Sequence, residues 1–162
     1  MSLITEFSEE ELHSLKKLIL RKNDDLLLNN LMNGSKVCII ISQILQEMNT
    51  LKNVNLSSID VGKEAFRAIM HALIYNISLK QLNLSNNNIR QDDGKNIETM
   101  LKKNSTLQVL NLFMNKLEEE GVVAVAKGLE CNNTLNNLDL SDNKIKIRGS
   151  KAIASTIQIN TT

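Results

Sequence analysis

Leu79–Ile89 reads LKQLNLSNNNI, and the fold turns on it. Leu79, Leu82, Leu84 and Ile89 do not share one face of a helix. Leu82 and Leu84 instead alternate with polar Gln81, Asn83 and Ser85, the period of a strand with one buried face. Downstream the period changes. Ile97 and Leu101 stand four apart, as do Val125 and Leu129, and Ile153 and Ile157. That is helical spacing, so strand, turn and helix make one unit.

The unit recurs every 28 residues. Segments beginning at Leu51, Leu79, Leu107 and Leu135 open LKNVNLSSIDV, LKQLNLSNNNI, LQVLNLFMNKL and LNNLDLSDNKI. One period earlier, Asn23–Thr50 holds a degenerate copy, with Leu26 and Leu28 at strand positions and Ile41 and Leu45 at helix positions. One unit cannot bury its apolar side alone, whereas stacked units share a continuous core. The expectation is an α/β solenoid, a curved right-handed array with a parallel sheet on the concave face and helices on the convex face. Two regions follow: an N-terminal helical cap with one degenerate repeat over 1–50, and four 28-residue repeats over 51–162. Strands are expected near 53–56, 81–84, 109–112 and 137–140, and helices over roughly 63–75, 93–103, 119–131 and 149–159.

The pattern LxxLxLxxNxI followed by a helix resembles a leucine-rich repeat of the ribonuclease-inhibitor-like class. The resemblance is strong over 51–162 and weak over 23–50. Ribonuclease inhibitor, Ran GTPase-activating protein, the tropomodulin C-terminal domain, nucleotide-sensing immune receptors and effectors of intracellular bacterial pathogens share such repeats. It therefore implies a fold more than a chemistry.

The chain has 22 Asn among 162 residues, and the repeat gives many of them a fixed place. Asn87, Asn115 and Asn143 stand two residues before Ile89, Leu117 and Ile145. An inward Asn there both donates and accepts, and forms a structural ladder that satisfies the turn leaving each strand. Ile59 holds the same slot in the 51–78 unit, so the ladder should stop there. A second column, Asn76, Asn104, Asn132 and Asn160, falls just past each helix, where Asn is expected to adopt the left-handed conformation of a helix end. Near the N-terminus, Ser8 and Glu11 have capping-box spacing, and Leu12, Leu15, Leu18 and Ile19 make a stripe. Val37, Ile40, Ile41, Ile44, Leu45 and Met48 make a clearer one, expected to seal the first face of the array.

Composition narrows the function. Net charge is +1, from 19 basic and 18 acidic side chains, which supplies no global field for nucleic acid or an anionic membrane. Cys38, Cys131, His13 and His71 cannot complete a common metal set, and two free thiols fit a reducing compartment. No classical signal peptide is visible at the start, and the longest apolar run, Val37–Ile41, is far shorter than a membrane span. A cytoplasmic location is the expectation. Neither a phosphate-binding GxxxxGK[ST] loop nor a GxSxG or HExxH motif occurs. Acidic runs such as Asp92–Asp93 and Glu118–Glu120 suit helix starts. No catalytic residues, metal or cofactor are expected.

Function must then lie on the surface. Strand side chains between the buried leucines form rows on the concave face: Asn53, Gln81, Val109, Asn137; Asn55, Asn83, Asn111, Asp139; Ser57, Ser85, Phe113, Ser141; and Ser58, Asn86, Met114, Asp142. Most are small and polar. The 107–134 unit differs, placing Val109, Phe113 and Met114 together. An aromatic beside Met on an exposed face is a typical contact anchor. The expected activity is non-enzymatic binding of a protein partner, as effector or scaffold, through Phe113, Met114, Val109, Asn111, Asn83 and Asp139. The alternative, implied by the resemblance to Ran GTPase-activating protein, is GTPase activation or other enzyme regulation, for which Arg90 in its turn is the candidate. Apolar Ile145, Ile147, Ile153, Ile157 and Ile159 suggest self-association through the C-terminal repeat.

Overall fold

The computed structural model describes residues 25–27, 34–47 and 49–159. The capping box at Ser8, the stripe from Leu12 to Ile19, Leu28, Met48 and Asn160 lie outside them.

Strand and helix alternate strictly. The order is β1 (Asp25–Leu27), α1 (Gly34–Glu47), β2 (Asn53–Asn55), α2 (Lys63–Tyr75), β3 (Gln81–Asn83), a short 3-10 turn (Gln91–Asp93) leading into α3 (Gly94–Lys103), β4 (Val109–Asn111), α4 (Glu118–Leu129), β5 (Asn137–Asp139) and α5 (Ile147–Ile159). The five strands form one sheet in the order β1-β2-β3-β4-β5. Every pair is parallel and in repeat register: Leu26 faces Val54, Val54 faces Leu82, Leu82 faces Leu110, and Leu110 faces Leu138. A parallel pair needs a crossover, and each helix supplies one.

The buried positions of each strand repeat. Val54 and Leu56, Leu82 and Leu84, and Leu110 and Leu112 are all buried. They meet the inward helix residues Phe66, Ile69 and Leu73, then Ile97 and Leu101, then Val122 and Val125, in one continuous core. Each fully buried Leu or Ile contributes about 1.5–3 kcal/mol. The α1 stripe joins the same core through Cys38, Ile40, Ile41, Ile44 and Leu45. Leu129 and Ile153 pack only partly against it, and Ile157 is 68% exposed. The spacing of Ile153 and Ile157 is helical, but among the described residues α5 has a helix neighbour, α4, on one side only.

Glycines allow close packing between α3 and α4. A Cβ on Gly94 would lie 2.6 Å from the Gly121 backbone, and one on Gly121 3.0 Å from Gln91 Cα. The starts of α3 and α4 can touch because neither residue carries a side chain.

Candidate protein-interaction surface

The turns that leave the strands are wired by asparagine. Asn115 is buried. Its Oδ1 accepts from the backbone N–H groups of Asn87 and Ile89, both at 3.0 Å. Its Nδ2 donates to the carbonyls of Leu84 (3.0 Å) and Leu112 (2.9 Å). Asn87 treats the preceding unit the same way, accepting from Ile59 and Val61 and donating to Leu56. Asn143 accepts from Leu117 and donates to Leu112. Ile59 is itself buried and has no side-chain amide to extend the column.

The second column is structural, but its backbone conformation differs from the expected one. Asn76 and Asn104 are extended, with φ of −74° and −75°, not left-handed. Their backbones leave the helix as strand entrances, and their side chains do the closing. Asn76 donates to the Leu45 carbonyl, Asn104 to Leu73 and Asn132 to Leu101. Each Oδ1 accepts from the N–H three residues on, at Leu79, Leu107 and Leu135. Left-handed residues lie between strand and helix instead: Ser58, Asn86, Met114 and Asp142 share one slot with φ of 54–57°, and Asp60, Asn88, Glu118 and Lys144 are left-handed as well.

A third use of Asn and Asp was not legible in the pattern. Asn55, Asn83, Asn111 and Asp139 each accept, through Oδ1, the backbone N–H two residues on, at Ser57, Ser85, Phe113 and Ser141. These are Asx turns. Asn83, Asn111 and Asp139 are also the expected partner contacts, and the Oδ1 of each is tied to its own backbone. The repetition of Asn or Asp in one slot was the available signal.

That wiring fixes the platform under Phe113 and Met114. Phe113 N–H is held by Asn111 at 2.8 Å, and its carbonyl accepts from Asn86 N–H at 2.9 Å. Met114 N–H donates to the Ser141 carbonyl at 2.9 Å. Both neighbouring units therefore hold this turn. Phe113 and Val109 are half-buried, whereas Met114 is 52% exposed and does not pack beneath the next turn. The structure brings Val109, Phe113 and Met114 onto one unit, with Asn83 and Asp139 on the flanking strands.

Arg90 stands apart from this group, on the turn side. It is exposed, its N–H donates to Asp93 Oδ2 at 3.0 Å, and it bridges to Lys116. It lines a cavity of about 270 Å³ with Lys63, Phe66, Asp92 and Asp93. Asp92 pairs with Lys63, whose hydrogen bond holds the carboxyl below its usual range. Asp93 is buried in the column where other units have Ala65, Gly121 and Gly149.

Elsewhere, Cys38 and Cys131 are free thiols, and burial pushes Cys38 up to about 12, leaving almost no thiolate near neutrality. Among the described residues, no three His, Cys, Asp or Glu side chains gather where they could hold a metal. No described helix is long and apolar enough to cross a membrane. An apolar groove of about 560 Å³ runs along β5 and α5, lined by Leu138, Leu140, Ile145, Ile153 and Ile157.

A family model described as Leucine Rich repeat matches residues 75–97, 103–126 and 131–154. No curated protein matches the sequence. Among solved structures, Leiomodin-1 Actin-Binding Site 2 is similar with a TM-score of 0.74 and 19% identity, over 99% of this chain and 90% of its own. The tropomodulin C-terminal domain of Caenorhabditis elegans is similar with a TM-score of 0.51 and 17% identity, over 79% of this chain and 93% of its own. The fold is an α/β leucine-rich-repeat solenoid.

Proposed function

We propose that this chain is a non-enzymatic protein-recognition module whose concave sheet holds a protein partner, centred on Phe113 and Met114. Its repeats are read as ribonuclease-inhibitor-like, supported by the 28-residue spacing and a helix of 10 to 13 residues in each unit over 51–159.

Met114 carries the functional reading. It is left-handed, with φ 55°, where the other units place Ser58, Asn86 and Asp142. That conformation costs a side-chain-bearing residue about 1–2 kcal/mol, and short polar residues reach it most readily. Burial does not offset the cost, because Met114 is 52% exposed. A strained, exposed Met beside Phe113 on a rigid backbone fits a contact anchor. The named actin-binding site of leiomodin-1 shares the fold, which makes actin the first candidate partner.

The test is titration of purified actin, alongside affinity capture from cell extract, with the intact chain and with Phe113→Ala/Met114→Ala. The double variant should keep its melting temperature and lose about 2 kcal/mol or more of binding, roughly thirtyfold. A large fall in melting temperature would place both residues in the core and withdraw the site. Regulation of a GTPase through Arg90 has weaker support, since Arg90 is separate from the apolar group. Unchanged GTP hydrolysis with Arg90→Ala would dispose of it.

A second copy is the further partner in this reading. The apolar groove beside β5 supports it, since β5 pairs only with β4 among the described residues and a strand edge beside apolar side chains favours a second chain. The two free thiols support a reducing, cytoplasmic location.

A further inference from the structure

We infer that the partner segment carries a Lys or Arg about one strand spacing from the apolar residue that covers Phe113 and Met114; this rests on the sheet face being the binding surface. Over β2 to β5 the four rows of that face hold Asn, Gln, Ser, Val, Phe and Met with two charged residues, Asp139 and Asp142, while β1 places Asp25 in register with Asn53 at the far edge. Both belong to the unit next to the apolar group. Asp139 is the register partner of Asn111, and its carbonyl accepts from Leu112 N–H at 2.9 Å. Asp142 directly follows Ser141, whose carbonyl accepts from Met114 N–H. Adjacent strands lie about 4.8 Å apart, so the carboxylates stand one side chain away from the anchor.

Neither carboxylate has a salt bridge among the described residues. Asp142 is exposed, and Asp139 keeps Oδ2 beyond its Asx turn. The lysines near this face stand at its margins: Lys52 and Lys80 at the entrances of β2 and β3, with the Lys80 carbonyl accepting from Val109 N–H, and Lys116 and Lys144 in the turns. Beside the apolar group, a partner lying across the sheet therefore meets negative charge on the β5 side of Phe113, three strands away from Asp25 of β1. Covering the apolar group would exclude water and strengthen the attraction between a partner cation and these carboxylates.

The repeat itself supplies neutral replacements. Asn fills the Asp139 slot at positions 55, 83 and 111, and Asn86 fills the Asp142 slot in the same left-handed conformation. Asp139→Asn/Asp142→Asn should therefore remove charge and keep the fold. The probes are two labelled synthetic peptides, one with a Leu anchor flanked by Arg and one with Glu in place of each Arg. The Arg peptide should bind about tenfold tighter, with an advantage that shrinks as salt rises. The double Asn variant should weaken it about three- to tenfold with an unchanged melting temperature. Equal binding of the two peptides, binding of neither, or indifference to the double Asn variant would overturn the inference. If Phe113→Ala/Met114→Ala abolishes binding while the double Asn variant does nothing, the apolar surface stands and the charge requirement falls. If only the double Asn variant matters, the surface reading falls and takes the inference with it.

Discussion

Asn115 and Asn86 are the same residue type, one unit apart and one position out of phase, and they do opposite work. Asn115 is buried and satisfies backbone groups in two units. Asn86 is exposed, donates to Ser58 Oγ, and sits at φ 54°. Replacing Asn115 with Leu strands several buried polar groups, each worth about 1–3 kcal/mol, and should cost about 3 kcal/mol or more. The comparison at the outward position is Asn86→Gly, because any larger side chain would add left-handed strain to the lost contact. It should cost under about 1 kcal/mol. Urea unfolding of the two variants decides it; equal losses would erase the distinction. The sequence located both residues, since period and slot say which way a side chain points. It did not say which hydrogen bonds that side chain makes, so the Asx turns of Asn83, Asn111 and Asp139 and the extended backbones of Asn76 and Asn104 emerged only from the coordinates.

At the scale of one helix, α3 carries a buried carboxylate. Glu98 is 4% exposed and accepts from Lys102 at 2.6 Å and Lys95 at 2.8 Å. The hydrogen bond from Lys102, then that from Lys95, holds its carboxyl below the usual range. A depressed folded-state value stabilises the fold above the unfolded glutamate value of about 4.3, and that stabilisation is lost as pH falls through the folded value. Between neutral pH and about pH 3, the intact chain should therefore lose about 1 kcal/mol more stability than Glu98→Gln. Matched urea midpoints at the two pH values measure the difference; parallel losses would show that the lysines do not hold the proton off. Asp92, lowered by Lys63, is common to both chains and cancels. Strand and helix positions were legible here because two apolar periods alternate without overlap. The 3-10 turn at Gln91–Asp93 was not, since three polar residues carry no periodicity.

Across the whole array, strands and helices repeat with one register, and the groove beside β5 is where the apolar columns of Leu138, Leu140 and Ile153 remain open. If a second copy covers it, size in solution should rise with concentration, and Ile157→Glu should hold the chain monomeric. Light scattering over a concentration series that finds a monomer throughout, with or without the substitution, would reject pairing there. Sequence pointed to this end through its isoleucines; which of them stay exposed depended on packing, with Ile157 at 68% and Ile153 partly covered. The two asparagine columns share a direction as well. Asn87, Asn115 and Asn143 complete turns in the unit before their own, and Asn76, Asn104 and Asn132 reach back to the preceding helix. Synthesis delivers the chain from its N-terminus, so the turn after β2 has its local Asx bond at once but gains the amide of Asn87 only 26 to 31 residues later. For the turns after β2, β3 and β4, the last hydrogen bonds thus wait for the repeat that follows.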